Sequence, residues 1–194
     1  MLTKNEKNVL RLLMFSSTDY SINNIAKECS LAPNGALKIL RKFEKEGILR
    51  SKDIANIKSY KIDFNNEKTS AILELALASE PEGRIKHRLG DLKALKEIAK
   101  SCIMFGSYTN LKKEPHDMDV LLVLDKNKFR EYKRKISPIK DIVPVKIHDV
   151  LQTEEDLKQN LIKKDEVVLD ILMKGIILWG QKTIVGVIEN ACKA

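Results

Sequence analysis

Cysteines and long apolar runs are both scarce in this sequence of 194 residues. The three cysteines, Cys29, Cys102 and Cys192, are isolated and lack the spacing of a metal-ligand set. A scattered, odd number of cysteines favours reduced thiols, each acting as a small buried hydrophobe. No apolar run is long enough to span a bilayer, and the first residues lack the apolar core of a signal peptide. We therefore expect a cytoplasmic protein with no membrane partner.

Positive charge is unevenly distributed along the chain. Charged residues make up 32% and hydrophobic residues 43% of the sequence, a balance typical of a globular protein. The net charge is +8. Residues 1–65 hold 12 basic and 7 acidic side chains, a balance of +5, and the remaining residues carry +3. This excess favours a polyanionic partner for the N-terminal third.

Helix signals in the N-terminal third are followed by strand signals. Thr3 and Ser21 are candidate N-caps of the first two helices, and Glu6 completes a capping box with Thr3. A third helix is predicted from Pro33 to Glu46, ended by Gly47. Residues 48–51 and 59–64 are predicted to form two short strands around a loop.

This order of three helices and a hairpin resembles a winged helix-turn-helix domain, as found in many bacterial and archaeal transcription regulators. The segment Leu37-Lys38-Ile39-Leu40-Arg41-Lys42-Phe43 is similar to their recognition helix. The resemblance implies binding of duplex DNA, with phosphate contacts from basic side chains and a base contact near the helix N-terminus. The candidate DNA-binding residues are Asn34, Lys38, Arg41 and Lys42. The alternative is a dimerisation or packing module with a solvated basic face.

Two aspartates and a Gly-Ser pair form the clearest chemical motif. Gly106-Ser107 ends one apolar strand, and Asp117-Met118-Asp119 begins the next. Carboxylates two residues apart on a strand share a face and repel each other unless a cation lies between them. Carboxylate oxygens suit Mg²⁺, and a Gly-Ser turn can offer N–H groups and a hydroxyl to a phosphate.

The motif resembles the nucleotidyltransferase superfamily of DNA polymerase beta, most closely its small, minimal members, over roughly Leu92 to Gly180. The resemblance implies Mg²⁺ (or Mn²⁺) held by Asp117 and Asp119, which would also be the catalytic residues. Gly106 and Ser107 would bind a nucleoside triphosphate, with positive charge added by Lys112 and Lys113.

The family's third carboxylate has no evident counterpart. We predict the relevant strand at Ile142 to His148, where Lys146 and His148 share the polar face and no Asp or Glu occurs. Asp141 precedes this segment and Asp149 follows it. Slow or no transfer is therefore expected, although nucleotide binding could survive.

These patterns predict an α/β (α+β) protein. The predicted domains are a winged helix-turn-helix over residues 1–65, a connecting helix and linker over 66–83, and a nucleotidyltransferase-like domain over 84–194. The second domain should hold a small mixed sheet flanked by helices. Three functions remain open: a nucleotidyltransferase, a transcriptional regulator whose second domain only binds nucleotide or protein, and an antitoxin-like nucleotidyltransferase. A protein partner or a homodimer is compatible with each.

Overall fold

Two compact units, Met1–Leu77 and Ala78–Ala194, make up the chain. The structure is a computed structural model that describes residues 1–16, 20–54, 57–111 and 114–193. The α+β fold class expected from the sequence is confirmed, since both units combine helices with a small sheet. Among the described residues, no helix is both long enough and apolar enough to span a bilayer.

The first unit consists of three helices, an antiparallel hairpin and a further helix. Its elements are α1 (Lys4–Phe15), α2 (Ile22–Glu28), α3 (Pro33–Lys45), β1 (Leu49–Ile54), β2 (Ile57–Ile62) and α4 (Thr69–Leu77). The capping box predicted at Thr3 and Glu6 is confirmed, and Pro33 occupies the first turn of α3. The connecting helix expected from the sequence, α4, lies within this unit and contacts α1.

Apolar side chains of the three N-terminal helices form the core of the first unit. Each helix directs its buried residues at helical spacing, so that one stripe faces inward and the other faces stay polar. The fully buried members from α1, α2 and α3 are Val9, Leu10, Ile25, Ala36, Leu40 and Phe43. The opposite face of α3 is thereby left on the surface.

A four-stranded mixed sheet organises the second unit. Its elements are α5 (Gly83–Asp91), a 3-10 helix (Leu92–Glu97), β3 (Ala99–Phe105), a 3-10 turn (Gly106–Thr109), β4 (Asp117–Leu124), α6 (Phe129–Ile142), β5 (Lys146–Gln152), α7 (Glu154–Ile162), α8 (Glu166–Lys174), β6 (Ile176–Trp179) and α9 (Gln181–Cys192). The strand order is β5-β4-β3-β6, with β4 and β5 parallel and the other pairs antiparallel.

The two faces of this sheet pack against different helices. Side chains of alternate residues, such as Met118 and Val120 on β4, join a core with α6 and the 3-10 helix before β3. Helices α8 and α9 contact β3, and α7 contacts β4 and β5. Because strand side chains alternate, Asp117 and Asp119 face away from the core that holds Met118.

The prediction that the third strand spans Ile142 to His148 is wrong in its bounds. Helix α6 continues to Ile142, and β5 begins only at Lys146. The helix continues through Pro138, a residue that disfavours a helix interior, and Ile136 and Ile139 on either side of it are buried in the core. Asp149 therefore lies within the strand, three residues after its start.

Candidate functional site

The end of β3 passes unusually close to an aspartate of β4. Gly106 has φ +70°, and a Cβ built on it would lie 2.4 Å from Oδ2 of Asp119. Both the backbone conformation and the contact exclude a side chain at this position. Glycine thus lets the Gly-Ser turn lie directly against the carboxylate of Asp119.

The side chains of Asp117, Asp119 and His148 converge at this end of the sheet. The parallel register places Asp119 of β4 opposite His148 of β5. Nδ1 of His148 lies 3.5 Å from Oδ2 of Asp117 and 3.4 Å from Oδ1 of Asp119. One ligand atom from each residue can be chosen so that all three lie within 4.8 Å of one another. The three side chains are partly exposed, so a solvent ion can reach them.

The Gly-Ser turn also positions the first aspartate. The hydroxyl of Ser107 donates a hydrogen bond of 3.3 Å to Oδ1 of Asp117. Behind the turn, Arg84 of α5 donates from Nε to the carbonyl oxygen of Tyr108 at 3.2 Å, and its Nη2 donates to the carbonyl of Asn110. The guanidinium therefore fixes the backbone that carries Ser107.

From the sequence, Lys146 was expected at the position of the third carboxylate; in the structure His148 lies opposite Asp119, and Lys146 lies opposite Asp117. Sequence reasoning put His148 on the polar face of the strand but did not name it as a ligand. In the sequence, the two-residue spacing of Lys146 and His148 placed both on one face of the strand. Only the register with β4 shows which of the two lies opposite Asp119. Lys146 lies opposite Asp117, one pair further along, and is exposed.

Asp149 is excluded as the third ligand. Its position alternates with His148, so it lies on the face of β5 that packs against α6. There its carboxylate forms an ion pair with Lys140 of α6. Burial, and secondarily the negative charge of Asp149, raises the pKa of the Tyr132 hydroxyl on the same helix. Asp141 ends up within α6.

The remaining residues around the motif add little to the site. His116 precedes the first aspartate and is exposed. Lys112 and Lys113, expected to add positive charge, lie outside the described residues. The donor set of two carboxylates and one imidazole fits a divalent cation.

The outward face of α3 carries the residues expected to contact DNA. Asn34, Lys38, Arg41 and Lys42 are all exposed. Nζ of Lys42 lies 2.7 Å from Oε1 of Glu6 on α1, and this hydrogen bond raises the pKa of Lys42. Lys42 is thus engaged within the unit, whereas Lys38 and Arg41 lie on the exposed face.

The hairpin is tied to the same helix through one carboxylate. Glu44 of α3 accepts a hydrogen bond from the Ser51 hydroxyl of β1 and forms an ion pair of 3.0 Å with Lys58 of β2. Lys52 of β1 is also exposed. A concave surface next to Lys58 joins the N-termini of α2 and α3, and it is lined by Ser21, Ile22, Asn23, Pro33, Asn34, Leu37 and Lys58.

Comparison with known proteins gives little further information. No protein-family model and no curated protein matches the chain. Two solved structures of ZitR from Lactococcus lactis match half of it. The C30S mutant in complex with DNA is 18% identical over 50% of this chain and 75% of that chain, with a TM-score of 0.30. A second structure, described as a zinc-responsive MarR family member, is 16% identical over 50% and 76%, also with a TM-score of 0.30. A likeness at this TM-score supports no argument about fold or function.

Proposed function

We propose that this chain is a transcriptional regulator that binds duplex DNA through α3 and a metal-bound nucleoside triphosphate through the Asp117 site. The observation that carries the DNA half is the exposed polar face of α3, with Asn34 at its N-terminus and Lys38 and Arg41 on the following turns. The helix precedes a hairpin, which is the arrangement in which a recognition helix enters the major groove.

Charge supports this assignment of α3. The first 65 residues carry +5 of the net charge of +8. Arg41 is three positions after Lys38, so the two side chains lie on one face of the helix and can contact neighbouring phosphates. Asn34, in the first turn, is placed to reach a base edge, where an amide can form two hydrogen bonds with adenine.

The DNA half is tested by the salt dependence of binding. Replacing Lys38 and Arg41 together by Gln removes two phosphate contacts, so the slope of log affinity against log salt should fall by about 2. Fluorescence anisotropy of a labelled duplex at several salt concentrations measures this slope. Lys93→Gln, an exposed lysine of the second unit, is the matched control and should keep the wild-type slope. Equal slopes for the double variant and the wild type would contradict DNA binding through α3.

The nucleotide half rests on the Gly-Ser turn and the aspartate pair. The Ser107 hydroxyl and the backbone at Gly106 would bind a terminal phosphate, and Asp117 and Asp119 would hold Mg²⁺ or Mn²⁺. When bound, the cation would neutralise the phosphate oxygens of the triphosphate. Arg84 would keep the phosphate-binding turn in place by its bonds to the backbone of Tyr108 and Asn110.

Nucleotidyl transfer is the second candidate, favoured by the contact between Gly106 and Asp119 at the turn. The resemblance implies a third carboxylate on the neighbouring strand, but the residue opposite Asp119 on β5 is His148, so we expect little transfer in the wild type. His148→Asp would place a third carboxylate opposite Asp119 and should raise the rate of pyrophosphate release from a nucleoside triphosphate at least about tenfold, the lower end of the effect of groups that support a metal site.

The substitution Lys146→Asp is the control for this experiment. Lys146→Asp also adds an acidic side chain to the same face of β5, but opposite Asp117 and not opposite Asp119. It should therefore give a smaller gain than His148→Asp. Brisk pyrophosphate release by the wild type, lost in His148→Asp, would show instead that the imidazole itself takes part in the reaction.

A further inference from the structure

We propose that Asp117, Asp119 and His148 form a site selective for a first-row transition-metal cation over Mg²⁺. This inference deepens the metal-nucleotide role proposed above by naming the class of metal, and it rests on that role for its biological meaning. The metal preference itself is a property of three side chains and can be measured without nucleotide.

The first argument is the spacing of the three donor atoms. Nδ1 of His148 lies 3.4 and 3.5 Å from the nearest oxygens of Asp119 and Asp117. Metal–nitrogen and metal–oxygen bonds of about 2.0–2.2 Å place neighbouring ligand atoms about 3.0–3.5 Å apart around one ion. The two nitrogen–oxygen separations therefore fit a single cation, and the three residues offer ligand atoms that all lie within 4.8 Å of one another.

The second argument is that the Gly-Ser turn, on the side away from His148, already orients both carboxylates. Asp117 accepts a hydrogen bond from Ser107 at Oδ1 and directs Oδ2 toward His148. Asp119 has Oδ2 against Gly106 and directs Oδ1 toward the same imidazole nitrogen. Each aspartate thus has one oxygen against the turn and one facing His148. Such supporting contacts fix the orientation of metal ligands.

The third argument is the chemistry of the donor set. Mg²⁺ prefers oxygen ligands and retains its waters, whereas an imidazole nitrogen suits first-row transition metals. Within the described ranges, the ion-pair contacts of Asp117 and Asp119 are with His148 alone. A cation bound between them would balance two carboxylates that otherwise share one imidazole. The imidazole of His148, as the third ligand of this site, therefore favours Mn²⁺ over Mg²⁺.

The direct test is pulsed electron paramagnetic resonance of Mn²⁺ added to the full chain without nucleotide. Nitrogen-14 modulation of the Mn²⁺ signal should be present in the wild type, because Nδ1 of His148 coordinates the ion. It should disappear in His148→Asp while Mn²⁺ remains bound. His116→Asn and His87→Asn, both exposed histidines, are the controls and should keep the modulation.

Calorimetric titration with MnCl₂ and MgCl₂ measures the selectivity in parallel. The wild type should bind Mn²⁺ at least about tenfold more tightly than Mg²⁺, and His148→Asp should reduce that ratio toward one. Absence of nitrogen modulation in the wild type, its persistence in His148→Asp, or an unchanged Mn²⁺/Mg²⁺ ratio would each overturn the inference. A metal site that passes these tests but binds no nucleoside triphosphate would contradict only the proposed nucleotide role.

Discussion

At the scale of single residues, Gly106 sets the geometry of the acidic site. Gly106→Ala would place a methyl group 2.4 Å from the Asp119 carboxylate at φ +70°. Left-handed backbone costs an alanine about 1 kcal/mol, and displacing Asp119 adds to this cost, so we expect a loss of about 1–3 kcal/mol in the free energy of unfolding. Urea denaturation followed by fluorescence of Trp179, the single tryptophan, measures the second unit.

Gly186 of α9 provides the opposite expectation for the same substitution. A Cβ on Gly186 meets no atom within 4 Å, and the residue lies inside a helix. Gly186→Ala should therefore leave stability unchanged or raise it by up to about 1 kcal/mol. Equal stability of the Gly106→Ala variant and the wild type would mean that the Gly-Ser turn is not held against Asp119.

The position of His148 beside the two aspartates could not be predicted from the sequence. That Asp117 and Asp119 share a face follows from the period of a strand, so the sequence alone predicts it. That His148 joins them depends on the parallel register of β4 with β5, which no local pattern specifies. His148 could be placed on the polar face of a strand from the sequence, but its neighbours on β4 could not be predicted.

At the scale of elements, the contact between α1 and α3 has a consequence for pH. Burial raises the pKa of Glu6, but the hydrogen bonds from Lys42 and Thr3 outweigh it and lower the pKa overall. A carboxylate whose pKa is lowered by folding stabilises the fold at pH values above its ordinary pKa of 4.5. This contribution is lost as pH falls through the pKa of the folded state. The first unit should therefore lose stability below about pH 4.5.

Glu6→Gln isolates this contribution. The variant should lose about 1 kcal/mol at pH 7, since a partly exposed lysine limits the strength of the pair, and its stability should depend less on acid than that of the wild type. Urea denaturation by circular dichroism at pH 7 and pH 4 measures both effects. Glu67→Gln, an exposed carboxylate, is the control. The same acid sensitivity in Glu6→Gln and the wild type would contradict the role of this pair.

Elements governed by local interactions were predicted more accurately than those governed by packing. The capping box at Thr3 and the proline start of α3 are confirmed because each depends on residues within one turn. The segment that leads into β3 is not one continuous helix but α5 followed by a 3-10 helix. Its period of three places Leu92 and Leu95 together in the core, a preference that tertiary contacts decide.

At the scale of the whole molecule, the two candidate sites lie in different compact units. The exposed basic face of α3 belongs to the first unit, and the cluster of Asp117, Asp119 and His148 lies in the second. If each unit binds its own partner, a substitution in one site should spare the other ligand. Such separation is the central expectation for a regulator built from a DNA-binding unit and a nucleotide-binding unit.

The most direct measurement titrates one preparation of the full chain with a labelled duplex and with a labelled nucleoside triphosphate in the presence of Mn²⁺. Lys38→Gln with Arg41→Gln should weaken duplex binding and leave nucleotide affinity unchanged. Asp117→Asn with Asp119→Asn should abolish metal-dependent nucleotide binding and leave duplex affinity unchanged. Nucleotide binding that is equally tight in the aspartate variant, or absent from the wild type, would contradict the proposed role of the second unit.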